Sequence, residues 1–216
     1  MRAHVALRRV VFGLAVLAFA GAALAQQPLR QKMEYDLISP QPVSTNERIE
    51  VIEFFWYGCP HCYNLQPPLD AWLKRKPADV ELRRIPAVFR ESWIPHARVY
   101  YTLEALGEVG QLHHAVYRSI HVEKDSLMTA EAAAAWASRN GIEPTRWNAA
   151  YNASEVDRKI QESKKHTVAY AIEGTPSLVV DGRYLTSSGK AESMPQVITI
   201  LDGLIVMARE KRPAGK

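Results

Sequence analysis

Residues 49–56 read Ile-Glu-Val-Ile-Glu-Phe-Phe-Trp, β-branched and aromatic almost throughout, and the run stops at Tyr57-Gly58. Such a run predicts a buried strand. A helix is expected next, over 59–76, with Pro60 tolerated in its first turn; Pro67-Pro68 predicts a kink or break inside it. Residues 80–85 read as a second strand, closed by Pro86, and 34–38 as a short edge strand in a leader that carries Pro28, Pro40 and Pro42. From 92 to 163 the pattern turns helical. Thr129 caps an alanine-rich stretch that stops at Asn140-Gly141, and Ser154-x-x-Asp157 resembles a loose capping box. Alternation returns after Gly174-Thr175-Pro176: residues 177–180, the turn Asp181-Gly182 and residues 183–185 predict a hairpin, and 194–209 a last helix. The order is strand, helix, strand, helical block, hairpin, helix. This is an α/β chain with a small mixed sheet interrupted by an all-helical insertion.

The length of 216 residues, 47% hydrophobic and 23% charged, suits one globular domain or one domain with an insertion, long enough to bury a core without disulfide staples. The first 25 residues differ from the rest. Arg2, Arg8 and Arg9 form a positive start, residues 10–20 an apolar run, and Ala23-Leu24-Ala25 a small-x-small pattern. Together they predict a secretory signal cleaved after Ala25, leaving Gln26 as the mature terminus. The apolar run is short for a membrane-spanning anchor, and the Arg8-Arg9 pair alone is a weak sign of twin-arginine export. The whole chain carries +4; removing those three arginines, which no acid offsets, leaves +1. A near-neutral surface gives no electrostatic footprint for nucleic acid. The basic tail, 209–216, is expected to fray, and the apolar stretch 197–208, interrupted by Asp202 and Gly203, to form an amphipathic helix rather than a membrane span.

There are two cysteines, both in Cys59-Pro60-His61-Cys62. A scaffold disulfide stabilises most when it closes a long loop, and a four-residue loop gains little, so this pair is there for chemistry. The reactive species in disulfide exchange is the thiolate, which requires a lowered pKa. Cys59 follows a strand and a glycine, which places it at the positive end of the next helix, and a protonated His61 would add charge beside it. Cys59 is therefore expected to be the exposed, attacking thiol and Cys62 the inner partner. Half a zinc site is the structural alternative, but zinc needs four ligands and no second cysteine pair exists. His113, His114 and His121 lie far along a helical stretch and read as surface histidines. No metal and no cofactor are expected.

The stretch Glu53-Phe54-Phe55-Trp56-Tyr57-Gly58-Cys59-Pro60-His61-Cys62-Tyr63 closely resembles the active-site strand and helix of DsbA-type thiol:disulfide interchange proteins. Residues 174–184, Gly-Thr-Pro-Ser-Leu-Val-Val-Asp-Gly-Arg-Tyr, resemble their cis-proline loop and hairpin. The resemblance covers essentially all of the chain after the signal. It implies a thioredoxin-like fold divided as 26–91 and 164–210, with 92–163 the helical insertion and 211–216 a flexible tail. It also implies a very acidic cysteine and a strongly oxidising couple, for which this family is a known case.

By the same resemblance Pro176 is expected to be cis and packed against the disulfide, and Thr175 to pair with an extended substrate segment. Glu53 matches the family's buried acid behind the cysteines, a candidate proton relay for Cys62. The family's partner lysine on the next strand is replaced by arginine, Arg84 by alignment, and Thr175 stands where the best-known members carry Val. Arginine does not give up its proton, so any relay falls on Glu53. The implied activity is donation of the Cys59–Cys62 disulfide to unfolded exported proteins with free thiols. The implied setting is the periplasm, with reoxidation by a quinone-linked membrane oxidase of the DsbB type and the protein working as a monomer. Rival readings are a secreted reductase or isomerase, for which 26–48 is too short to supply the usual dimerisation domain, and a chaperone-like peptide-binding module.

Overall fold

The computed structural model describes residues 28–45 and 47–212; the expected signal, its cleavage site and residues 213–216 lie outside the described residues. Strand β1 is Asp36–Leu37, β2 Ile49–Phe55, β3 Val80–Pro86, β4 Ser177–Val180 and β5 Tyr184–Ser187, in one sheet of order β1-β5-β4-β2-β3. Only β2 and β3 run parallel; β4 lies antiparallel to β2 and to β5. Every residue of β2 is buried, as its sequence predicts for a strand paired on both edges and covered on both faces. The edge strand is shorter than expected. Its ladder pairs Asp36 with Leu185 and Leu37 with Tyr184, while residues 30–35 curl into a turn with Lys32 at φ 71°.

Helix α1 (Pro60–Leu73) and the last helix, α7 (Met194–Lys211), cover one face of the sheet through Leu65, Leu69, Trp72, Leu201 and Leu204, all fully buried. Each such side chain contributes about 1.5–3 kcal/mol by leaving water. Trp72 Nε1 donates to Asp202 Oδ1 at 2.8 Å, so the acid that interrupts the last apolar stretch ties the two helices together. Contrary to expectation, Pro67-Pro68 does not break α1. The carbonyls deprived of donors belong to half-buried Tyr63 and exposed Asn64, while the buried side, through Leu65, Leu69 and Trp72, holds the helix in place. Ile52, Phe54 and Val179 fill the opposite sheet face with Tyr170 and Ile172.

Between β3 and β4 come a 3-10 turn at Glu91–Trp93 and helices α2 (Ile94–Ala105), α3 (Val109–His121), α4 (Ala130–Arg139), α5 (Pro144–Tyr151) and α6 (Ser154–Ala169). Thr129 caps α4 as expected, its hydroxyl accepting from Ala132 N–H. The expected capping box at Ser154 does not form. Ala153 is the N-cap, and Glu155 and Asp157 in the first turn meet the positive helix end instead. Because α6 continues to Ala169, the helical block runs past the expected limit at 163. The hairpin forms at Asp181-Gly182, with φ of 52° and 63°, the left-handed pair a tight hairpin turn requires. A Cβ on Gly182 would also lie 2.4 Å from the Gln41 carbonyl oxygen. The tail is anchored further than expected: α7 reaches Lys211, Arg209 pairs with Asp79, and Arg212 pairs with Asp181 and donates to the carbonyls of Glu47 and Arg48. Among the described residues no helix is long and apolar enough to cross a membrane.

Candidate active site at the start of helix α1

Strand β2 ends at Phe55, and the loop Trp56-Tyr57-Gly58 delivers Cys59 to the N-cap of α1, with Pro60 as the first helical residue. Cys59 N–H closes the loop onto Trp56 O at 3.0 Å, and Tyr63 N–H donates to Cys59 O at 3.1 Å to begin the helix. Gly58 is required by close approach, because a Cβ there would lie 2.3 Å from the Trp56 indole. That indole stacks on Trp93 of the 3-10 turn, with centroids 4.2 Å apart and planes 7° apart. The active-site loop is thereby pinned to the helical block.

Both cysteines are free thiols, Cys59 8% exposed and Cys62 0%. Cys59 reaches the Thr175-Pro176 loop, which carries the expected cis peptide bond, and as a thiol donates to Thr175 O at 3.2 Å. The Cys59 pKa is lowered to about 5. The largest cause is the hydrogen bond from the Cys62 side chain; burial opposes it, and the Thr175 side chain and the backbone N–H groups of Cys62 and His61 add to it. Cys62 moves the other way, its pKa raised first by burial and then by Cys59. Cys59 is therefore not the exposed thiol the sequence predicts, because the Thr175-Pro176 loop closes over it, but the two sulfurs do differ in environment. The His61 ring is exposed, and its backbone amide is the part that acts on the sulfur.

Glu53 is fully buried on β2. Parallel register sets Arg84 of β3 beside it, and Arg84 Nε donates to Glu53 Oε2 at 2.8 Å. Gln66, unremarked in the sequence, links this acid to the cysteines: its Nε2 lies 3.1 Å from both Glu53 Oε1 and the Cys62 carbonyl. A signal for it existed, since Gln66 lies one helical turn beyond Cys62 on the buried side of α1. The histidines are corrected too. His113 is buried, accepting from or donating to the Tyr57 hydroxyl through Nδ1 at 2.9 Å, and burial, followed by the Arg84 charge, lowers its pKa well below the usual value. His121 bonds the Tyr57 carbonyl at 2.8 Å and stacks on Tyr63; only His114 is half exposed, beside Asp70 at 3.1 Å. His113, Val116 and Tyr117 are buried at helical spacing, which is the pattern that places His113 on the inner side of α3. Among the described residues no cluster of side chains is suited to a metal ion.

A mixed sheet whose interior strand β2 feeds a Cys-x-x-Cys helix, opposite a cis-proline loop, defines a thioredoxin-fold thiol:disulfide oxidoreductase. Residues 85–199 match the model of the DSBA-like thioredoxin domain. The Burkholderia cepacia thiol:disulfide interchange protein DsbA is 37% identical over 175 residues, 81% of this chain and 82% of that protein. The Pseudomonas aeruginosa protein of the same name is 36% identical over 191 residues, 88% of this chain and 90% of that one. The crystal structure of Pseudomonas aeruginosa DsbA superposes with a TM-score of 0.80 at 36% identity, covering 84% of this chain and 95% of that one. The oxidoreductase DsbA from Xylella fastidiosa gives 0.75 at 30% identity, covering 82% and 96%. The chain belongs to the DsbA family.

Proposed function

We propose that this protein donates its Cys59–Cys62 disulfide to exported proteins during oxidative folding. The observation that carries this reading is the opposed tuning of the two sulfurs, Cys59 held down to about 5 and Cys62 pushed up by burial. A substrate thiolate attacks Cys59 Sγ of the oxidised protein; the Cys59–Cys62 bond breaks, and Cys62 leaves and takes up a proton. A second substrate thiolate then attacks the substrate sulfur of the mixed disulfide and expels Cys59 as a thiolate. The substrate loses two electrons and the protein departs as the dithiol. Cys59 is a good leaving group because its thiolate is stabilised, which favours donation over reduction.

Pro60 sets the first turn beneath the sulfurs, and His61 supplies a backbone donor to Cys59. Thr175 and Pro176 face the incoming chain. Glu53, held by Arg84 and Gln66, exchanges a proton with Cys62. Residues 1–25 serve as the export signal, cleaved after Ala25, which puts the mature protein in the periplasm. A quinone-linked membrane oxidase of the DsbB type restores the disulfide.

The test is stoichiometric. Oxidised protein mixed with a reduced, unfolded two-cysteine substrate should remove two substrate thiols per molecule, and acid quenching during turnover should trap a mixed disulfide through Cys59. Retention of the substrate thiols, or a mixed disulfide mapped to Cys62, would contradict the reading.

A further inference from the structure

Helix α3 grips the loop that delivers Cys59 at both ends of one residue. The Tyr57 side chain is buried with its hydroxyl 2.9 Å from His113 Nδ1, and the Tyr57 carbonyl lies 2.8 Å from His121 Nε2. A carbonyl oxygen only accepts, so His121 Nε2 carries the hydrogen and donates it. The same imidazole stacks on Tyr63, with centroids 5.0 Å apart and planes 10° apart. His121 therefore touches the chain on either side of Cys59-Pro60-His61-Cys62, before it at Tyr57 and after it at Tyr63.

The carbonyl that His121 holds sits in the middle of a turn. Trp56 to Cys59 form that turn, closed by Cys59 N–H on Trp56 O at 3.0 Å, and its central peptide joins Tyr57 to Gly58. Turns of this kind exist in two forms related by rotation of the central peptide. Between them ψ of the second residue changes from about −30° to +120° and φ of the third from about −90° to +80°. The second form calls for glycine at the third position, which is Gly58 here. Gly58 has no positive φ, so the turn is not in that form. Burial of Tyr57 does not oppose the rotation, because the peptide turns while the side chains stay in place. The hydrogen bond from His121 does oppose it, since the carbonyl would swing away from its donor. Cys59, the residue that follows this turn, is the N-cap of α1, and its sulfur depends on the backbone donors of His61 and Cys62.

We infer that His121 is a positioning residue for the redox centre: its hydrogen bond locks the Tyr57–Gly58 peptide in the orientation that sets Cys59 over the start of α1. This role rests on Cys59 being the attacking thiol of the disulfide-donor reading, and it adds the group that holds that thiol in register. A neutral hydrogen bond of this kind biases the two turn forms by roughly three- to ten-fold.

The full-length mature protein is compared with His121→Phe, which keeps a ring against Tyr63 but has no donor, and with His121→Gln, which keeps an N–H donor but has no ring. In His121→Phe the pH midpoint of Cys59 labelling by iodoacetamide should rise by about half a pH unit, and the equilibrium with glutathione should move about three-fold toward the oxidised protein. His121→Gln should return both values to those of the parent, whatever either variant loses in urea unfolding. Parent-like values in His121→Phe would leave His121 a role in stability alone, and equal shifts in both variants would assign the effect to the ring; either result overturns the inference. If the parent labels first at Cys62, or labels Cys59 only at the pH of an ordinary thiol, the donor reading fails as well. A parent that labels Cys59 at a lowered midpoint, with no response to His121→Phe, sinks the positioning role alone.

Discussion

Glu53 and Arg84 stand side by side in the parallel register of β2 and β3, and their side chains meet at 2.8 Å beneath the active-site helix. Glu53 is fully buried and Arg84 is 16% exposed. Burial alone would lower the Arg84 pKa, but the Glu53 charge and hydrogen bond outweigh it and the net shift is upward. The acidity of Cys59 comes from hydrogen-bond donors rather than from a neighbouring cation.

Breaking that pair from one side leaves a buried charge alone. Arg84→Met should destabilise the protein by about 3–5 kcal/mol in urea unfolding, while Glu53→Gln combined with Arg84→Met should recover a large part of the loss. A single variant within about 1 kcal/mol of the parent would show that the two side chains do not depend on each other in the folded state.

Thr175 acts on Cys59 through its side chain, which favours the thiolate. In the reduced parent, iodoacetamide should label Cys59 with a midpoint near pH 5 and leave Cys62 protected. Thr175→Val should move that midpoint upward. An unchanged midpoint would remove the hydroxyl from the account, and first labelling at Cys62 would reverse the roles of the two thiols.

Gly58 makes room for the Trp56 ring, which stacks on Trp93. Gly58→Ala should displace the indole, cost about 1–3 kcal/mol by overpacking, and alter the tryptophan fluorescence. An alanine variant with the parent's stability and emission would mean the loop yields without moving the ring.

Much of this was legible in the sequence, and the exceptions have physical reasons. The run 49–56, the Cys-x-x-Cys spacing, the Asp181-Gly182 turn and the Thr129 cap are local signals, and each formed where the pattern predicts. Pro67-Pro68 misled because propensity cannot see that α1 is held on its buried side by the sheet and α7. His113 looked like a surface residue because its burial depends on Tyr57, which is 56 residues away. Gln66 acquires meaning only when β2 places Glu53 under α1. The docking of Arg209 and Arg212 likewise depends on Asp79 and Asp181, distant acids that no local pattern joins to the tail.

The Cys59 thiolate should make the reduced protein the more stable form at neutral pH, so that the disulfide is readily given away. Closing a four-residue loop favours the oxidised form by about 2 kcal/mol. A thiol lowered to about 5 in the folded state, against about 8.5 in the unfolded chain, favours the reduced form by about 3 kcal/mol at pH 7. A depressed folded pKa gives stability that is complete above the unfolded value and is lost as pH falls through the folded one, so the order of the two forms should reverse between about pH 6 and 7. Thermal melts of both redox forms from pH 4 to pH 8 measure this directly. The account predicts that the reduced protein melts higher at pH 8, where the margin is about 2 kcal/mol, and the oxidised protein melts higher at pH 5. An oxidised form that melts higher across the whole range would contradict it and favour a reductase.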